Sequence, residues 1–263
     1  MQYQIANLFF AVQDGRSQSK AWDKFQKEEA KELDRVLIEP YKSEANIYNG
    51  GKCFQTAFSG EHHLVYDETV MAADKDWKRA SFLTIKRAEH RDLFLLQLFY
   101  THAVRRQMIQ LHCATIDDDG RGILFLGPSG IGKTTQAERW AQYRGSAIIN
   151  GDIGFVQRTP AGYTAWGTPW HGSSPYCLNA SVPVKALVVL KQAPQNALRE
   201  LTGFEKVREV SGSVFYPTWL EDGMELCTDT LNHLLSDLPV YRLDNRADEE
   251  AVRLLAAEID RIS

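Results

Sequence analysis

Eight residues, Gly127-Pro-Ser-Gly-Ile-Gly-Lys-Thr134, constrain this chain more than any other feature. They fit the pattern G-x-x-x-x-G-K-[ST] without a mismatch. An apolar run, Ile123–Leu126, enters the segment, and a helix-forming run, Thr135–Tyr143, leaves it. Glycines at this spacing let backbone N–H groups converge on phosphate oxygens, and the N-terminus of the following helix adds its dipole. Gly127, Pro128, Ser129, Gly130, Ile131, Gly132, Lys133, Thr134 and Thr135 are therefore candidates to bind nucleotide phosphates. Lys133 would reach the β- and γ-phosphates, and the Thr134 hydroxyl would ligate Mg²⁺. A strand that delivers such a turn to a helix predicts an α/β core.

The loop needs a second acid, and the sequence does not supply it in the usual place. The best later strand, Ala186–Leu190, runs directly into Lys191 and Gln192. A transporter-type L-S-G-G-Q segment is absent, as is the guanine-reading N-K-x-D pattern. The nearest candidate lies in Ala147-Ile-Ile-Asn-Gly-Asp-Ile153, an apolar strand that delivers Asp152 nineteen residues beyond Lys133. A strand leaving the loop's helix and running beside the loop's strand would end near the phosphates. Asp152 would there hold Mg²⁺ or accept a proton; the competing reading is a plain turn aspartate.

Composition narrows the partners. The 263 residues are 44% hydrophobic and 24% charged, an ordinary globular balance. A net charge of −4 lacks the basic excess of a duplex-binding protein, so nucleic acid is not expected. No apolar run approaches the ~20 residues that cross a bilayer, and Leu8–Val12 is too short for a signal segment. The expectation is a cytoplasmic protein with no membrane partner. Cys53, Cys113, Cys177 and Cys227 are widely scattered with no C-x-x-C pair, which reads as buried thiols, a disulfide pair being the formal alternative.

At about 150 residues per domain the length predicts one large or two unequal domains. A small α+β module is expected over residues 1–89 and a catalytic domain over 90–263. In the module, Met1–Val12 and Phe82–Ile85 suit strands, Lys20–Arg35 a solvated helix, and Asn49-Gly50-Gly51 a turn. Beyond it, Leu93, Leu96, Phe99, Tyr100 and Val104 recur at helical spacing within His90–Ile109. Strands are expected at Leu111–Ile116 and Ile123–Leu126, joined by Asp117-Asp-Asp-Gly-Arg-Gly122. Three consecutive acids invite a metal, but beside two glycines an exposed hairpin tip is the better reading. A hairpin over Phe155–Trp166, a strand at Val240–Leu243 and a helix over Asp248–Ile262 complete the core.

The His112 strand, the acidic hairpin, the loop and the Asn150-Gly-Asp152 segment together resemble the HPr kinase/phosphorylase superfamily, related to ATP-dependent phosphoenolpyruvate carboxykinases. The twenty-one-residue spacing from His112 to Lys133 matches that family's, and Gly167-Thr-Pro-Trp-His-Gly172 is similar to a segment of its smaller, peptide-serine kinase-like members. The resemblance runs from about Leu93 to the C-terminus. It implies a mixed α/β P-loop core of the HPr kinase and PEP carboxykinase type. It implies ATP and Mg²⁺ as cofactors, Lys133, Asp152 and His112 as catalytic residues, and Thr134 with Asp152 at the metal. The family's first aspartate falls on Gly151 here. Trp170 and His171, in a Pro- and Gly-rich loop, would face an acceptor or pack beneath the loop. Related enzymes are hexamers, which implies a homo-oligomer.

The reading is an ATP-dependent kinase acting on a hydroxyl, with a serine of a peptide or small protein as acceptor. A small-molecule hydroxyl kinase and a nucleotide-gated peptide-binding module are the alternatives. Lys133, Thr134, His112 and Asp152 favour chemistry, whereas Gly151 favours the switch.

Overall fold

The computed structural model describes residues 1–16, 18–27, 35–45 and 52–262. It is a mixed α/β structure of two compact units, residues 1–102 and 103–263. Among the described residues no helix is long and apolar enough to cross a membrane.

The first unit is built on a six-stranded sheet, and its chain order is β1 (Gln2–Ile5), β2 (Leu8–Val12), β3 (Arg35–Ile38), β4 (Lys42–Ala45), β5 (Lys52–Gln55), β6 (His62–Tyr66), β7 (Thr69–Ala73), β8 (Arg79–Thr84) and α1 (Ala88–Val104). The sheet runs β1-β2-β3-β8-β7-β6, while β4 and β5 form a separate antiparallel pair. Met1–Val12 is thus a hairpin and not one strand, because Ala6 takes a left-handed turn at φ 52°. The charged run from Lys20 does not make a solvated α-helix. Lys20–Phe25 is a 3₁₀ turn whose Trp22 and Phe25 are fully buried, and Arg35 already begins β3; residues 28–34 lie outside the described residues. The Asn49-Gly50-Gly51 turn also lies outside them. Helix α1 buries Leu96, Phe99, Tyr100 and Val104 as the spacing predicts, but leaves Leu93 exposed, and it stops at Val104 because Met108 and Ile109 open the next strand.

The second unit contains β9 (Met108–Asp117), β10 (Gly122–Leu126), α2 (Lys133–Arg144), β11 (Ala147–Asn150), β12 (Ile153–Thr159), β13 (Gly162–Trp166), β14 (Ser181–Gln192), β15 (Ala197–Leu201), α3 (Phe204–Val210), β16 (Val214–Phe215), α4 (Gly223–Asp237), β17 (Val240–Asn245) and α5 (Glu249–Arg261). Strand β14 is long enough to serve two sheets: Ser181–Pro183 pair with β13, and from Val184 onward it runs parallel to β10. With β10 on β9, β9 on β12 and β12 on β13, the strands close into a ring. Strands β17 and β15 extend the sheet beyond β14. Helix α2 presents Lys133, Gln136, Ala137 and Trp140 inward, at the i, i+3, i+4, i+7 spacing of one helical face. The Trp140 ring meets Phe125 in a core shared with Val252, Leu255 and Ile259 of α5, and the Asp248 side chain caps α5 by accepting from the Ala251 amide.

Two expectations change here. Strand β11 does not run beside β10; it pairs antiparallel with β9, which itself separates the two. Two antiparallel steps leave β11 parallel to β10, so both still end on one side of the sheet. The acidic hairpin is not a wholly exposed tip. Asp118 is buried and accepts hydrogen bonds from Arg121 (2.6 Å), Arg144 (2.9 Å) and the Ser146 hydroxyl (2.7 Å). Among the described residues no group of three or more His, Cys, Asp and Glu forms a metal cage. Cys113, Cys177 and Cys227 are buried and not joined in disulfides.

Burial pushes the Asp118 carboxyl up, but hydrogen bonds from Arg144 and Ser146 and the charges of Arg144 and Arg121 outweigh it and hold it below its ordinary value. Asp118→Asn is therefore expected to lower stability by about 2–4 kcal/mol, somewhat less than for a fully buried pair because both arginines keep some solvent. A depressed carboxyl stabilises fully above its unfolded pKa and loses that stabilisation as pH falls through the folded one. The gap between wild-type and variant denaturant midpoints should thus hold at neutral pH and narrow below about pH 4.

Candidate active site

The loop from Gly127 to Gly132 can form only because three of its residues accept positive φ. Gly127, Gly130 and Gly132 lie at φ 140°, 78° and 108°. A Cβ on Gly130 or Gly132 would meet nothing within 4 Å, so the backbone there faces open space. The first amides of α2, which include those of Lys133 and Thr134, have no intrahelical acceptor and remain available to an anion.

Lys133 turns back under this loop. Its buried ammonium donates to the carbonyls of Gly127 (3.1 Å) and Pro128 (3.2 Å) and lies 2.8 Å from His112 Nε2. Three protons thereby find three acceptors, as a buried ammonium requires. Because His112 Nε2 accepts, the ring proton belongs on Nδ1, which faces Asp152 Oδ1 at 3.3 Å. Lys133, His112 and Asp152 form one continuous chain of contacts. Burial and then the Lys133 charge lower the His112 pKa, against the opposing Asp152 carboxylate. Burial also lowers the Lys133 pKa, again opposed by Asp152.

Asp152 reaches His112 because the strand is broken there. Along β9, Ile148 pairs with Ile116 but Asn150 pairs with Thr115, a one-residue slip of the kind that bends a strand. Pairing resumes at Ile153 opposite His112. In an unbroken strand residue 152 would point away from the face that carries His112 and Ile153. The bend at Gly151 and Asp152 removes that alternation. Asn150 holds the bend: its Oδ1 accepts from the amides of Asp152 and Ile153, both at 3.0 Å, while its Nδ2 donates to Thr168 O (3.3 Å) and Trp170 O (2.8 Å). The same bend meets the start of α2 just after the glycine-rich loop, since the Thr134 hydroxyl donates to Gly151 O at 3.1 Å.

The Gly167–Leu178 segment is stitched to this bend. Gly151 N–H donates to Tyr176 O, Leu178 N–H to Ile149 O, and the Tyr176 hydroxyl to Glu138 of α2. A Cβ on Gly172 would lie 1.9 Å from Asp152 Oδ2, and one on Gly151 would lie 1.9 Å from Ser174 Oγ. Both glycines are therefore needed for the segment to close on the acid. Trp170 is 4% exposed, so its ring packs beneath the loop while its carbonyl binds Asn150. His171 keeps its Nδ1 on Ser174 O. The Gly127–Gly132 loop, His112 and Asp152 thus come together, and the Trp170 ring is buried.

Asn150, Gly172, Ser174 and Phe215 were not singled out by sequence. The Phe215 ring stands edge-on to His112 at 6.3 Å between centroids, carried by β16, a two-residue strand too short to leave a pattern. Asn150 did leave a sign, because Asn before Gly-Asp favours a side-chain-to-backbone turn.

The family model of the SynChlorMet cassette protein ScmC matches residues 87–243, more than half of the chain. The chain belongs to the ScmC family. Among solved structures, the ScmC chain is similar to the HPr(Ser) kinase/phosphatase from Coxiella burnetii, with 13% identity, a TM-score of 0.33, and coverage of 58% of this chain and 93% of that one. A likeness that loose transfers no residue roles. No curated protein matches the sequence.

The contact chain has a signature that requires no substrate. In Lys133→Met the His112 pKa should rise, since a positive neighbour is removed, whereas in Asp152→Asn it should fall further. Imidazole chemical shifts followed across a pH titration read both directions; movement in the same direction in the two variants would break the chain.

Proposed function

We propose that this ScmC protein is an ATP- and Mg²⁺-dependent kinase that transfers the γ-phosphoryl group to a hydroxyl, with a serine of a peptide or small protein as acceptor. The observation that carries the reading is the continuous line from the phosphate loop through Lys133 and His112 to Asp152. A glycine-rich turn at a helix N-terminus suits phosphate, and a carboxylate at its edge suits the hydroxyl that attacks it.

The donor set also fits magnesium. Thr134 and Asp152 offer hard oxygen ligands beside the loop, and Mg²⁺ commonly takes one or two protein oxygens, with phosphate and water completing its shell. Once bound, it would neutralise charge on the phosphate oxygens. In this reading Lys133 leaves the Gly127 and Pro128 carbonyls for phosphate oxygens. Release of His112 Nε2 leaves the imidazole neutral, with Nδ1–H still orienting Asp152. Asp152 then receives the acceptor's proton. Phosphoryl transfer passes through a loose transition state, so positioning and charge stabilisation supply most of the acceleration and one modest base suffices.

The test uses labelled ATP, Mg²⁺ and serine-containing peptides encoded beside the protein. Lys133→Ala should abolish transfer, and Asp152→Asn should lower kcat by about 10²- to 10⁴-fold while changing ATP affinity far less. Tight ATP binding without transfer to any such peptide would overturn the kinase reading.

A further inference from the structure

A cavity of about 750 Å³ is lined by two stretches of the first unit, one after β2 and one running from the end of β8 into α1. It shares no residue with the candidate active site. Its volume lies within the roughly 300–1,000 Å³ of small-molecule sites. Four cations line it, Arg16, Lys86, Arg87 and Arg91, against two acids, Glu89 and Asp92. The four are not equivalent. Lys86 Nζ already donates to Asp67 (3.1 Å) and Glu68 (2.8 Å). Arg91, only 7% exposed, donates to Gln18 Oε1 (2.8 Å) and Asp14 Oδ2 (2.9 Å), yet its Nε is buried without a partner among the described residues. Arg16 and Arg87 are exposed, and among the described residues neither guanidinium has a partner. Of the acids, Asp92 accepts from the Trp22 indole at 3.2 Å, and Glu89 is exposed on the first turn of α1.

We infer that this cavity binds the phosphate group of a small organic phosphate monoester. Such a group carries close to two negative charges at neutral pH, which two unpaired guanidinium groups match. Their planar forks each present paired N–H donors to phosphate oxygens. A lone carboxylate, with one charge, would leave one arginine unmatched. The start of α1 adds to the same wall. The amides of Ala88 and Glu89, both lining residues, have no intrahelical acceptor, and the dipole of a 17-residue helix favours an anion at this end. Arg91 supplies the buried side: Asp14 and Gln18 fix its guanidinium, and one of its donors is still unmet. Ile85 and Ala88 give the lining an apolar stretch for the organic body, and the volume leaves room for one beside the phosphate.

The experiment titrates the isotope-labelled full chain with phenyl phosphate and with benzoate, and follows backbone amide and arginine side-chain resonances. Phenyl phosphate should give saturable shifts at Ala88 and Glu89 and at the Arg16 and Arg87 side chains, with benzoate binding there at least about tenfold more weakly. Arg16→Gln and Arg87→Gln, both at exposed positions, should each weaken phenyl phosphate by about tenfold or more. Shifts confined to Gly127–Thr134 would overturn the inference, because the phosphate would then occupy only the glycine-rich loop. Unchanged affinity in both arginine variants would also sink it. Benzoate binding as tightly as phenyl phosphate would do the same, by assigning the cavity to a carboxylate.

Discussion

Everything in the second unit hangs on β9, a ten-residue strand with a different partner at each end. Its C-terminal half lies between β10 and β11; its N-terminal half pairs with β12 and β16. His112 sits at the handover: Cys113 pairs with Leu126, the last residue before the glycine-rich loop, and His112 with Ile153, the first after the bend. One strand therefore places the imidazole between the loop and the acid. A shift of β9 by one residue would reverse its faces and turn His112 away from both.

The charges at this junction are tolerable only together. A buried ammonium costs several kcal/mol unless its protons are met, and here two loop carbonyls and an imidazole meet them. The Asp152 carboxylate balances the ammonium's charge through the intervening neutral ring. Cys113 stays out of this arrangement, for burial pushes its thiol up to about 12 and leaves it protonated and inert.

How much of this was legible depended on whether a residue acts through pattern or through contact. The Gly127–Gly132 loop, α2, the Phe155–Trp166 hairpin and the buried stripe of α5 each follow from local spacing and turn chemistry. Asp152 was singled out because an apolar strand ended beside it, although β11 proved to be two strands from β10 and not adjacent. Trp170 stayed open between an acceptor-facing and a packed position because a tryptophan in a Pro- and Gly-rich loop reads alike whether its ring faces out or in. The charged run from Lys20 concealed Trp22 and Phe25, since tertiary packing overrode its average polarity. The Asn150 clamp joins residues eighteen and twenty positions apart, beyond the reach of any periodicity.

The two glycines facing the acid tie these threads together. Any side chain on residue 151 would have to displace Ser174, and any on residue 172 would have to displace Asp152. The 167–178 segment can pack against the bend only if neither position carries one. Packing of that segment in turn lets Asn150 anchor both sides, and Asn150 produces the bend that brings Asp152 round to His112. Loss of side chains at two positions is therefore what allows a single carboxylate to be held so rigidly. In this protein the acid's position is determined less by the strand that carries it than by the loop that closes on it.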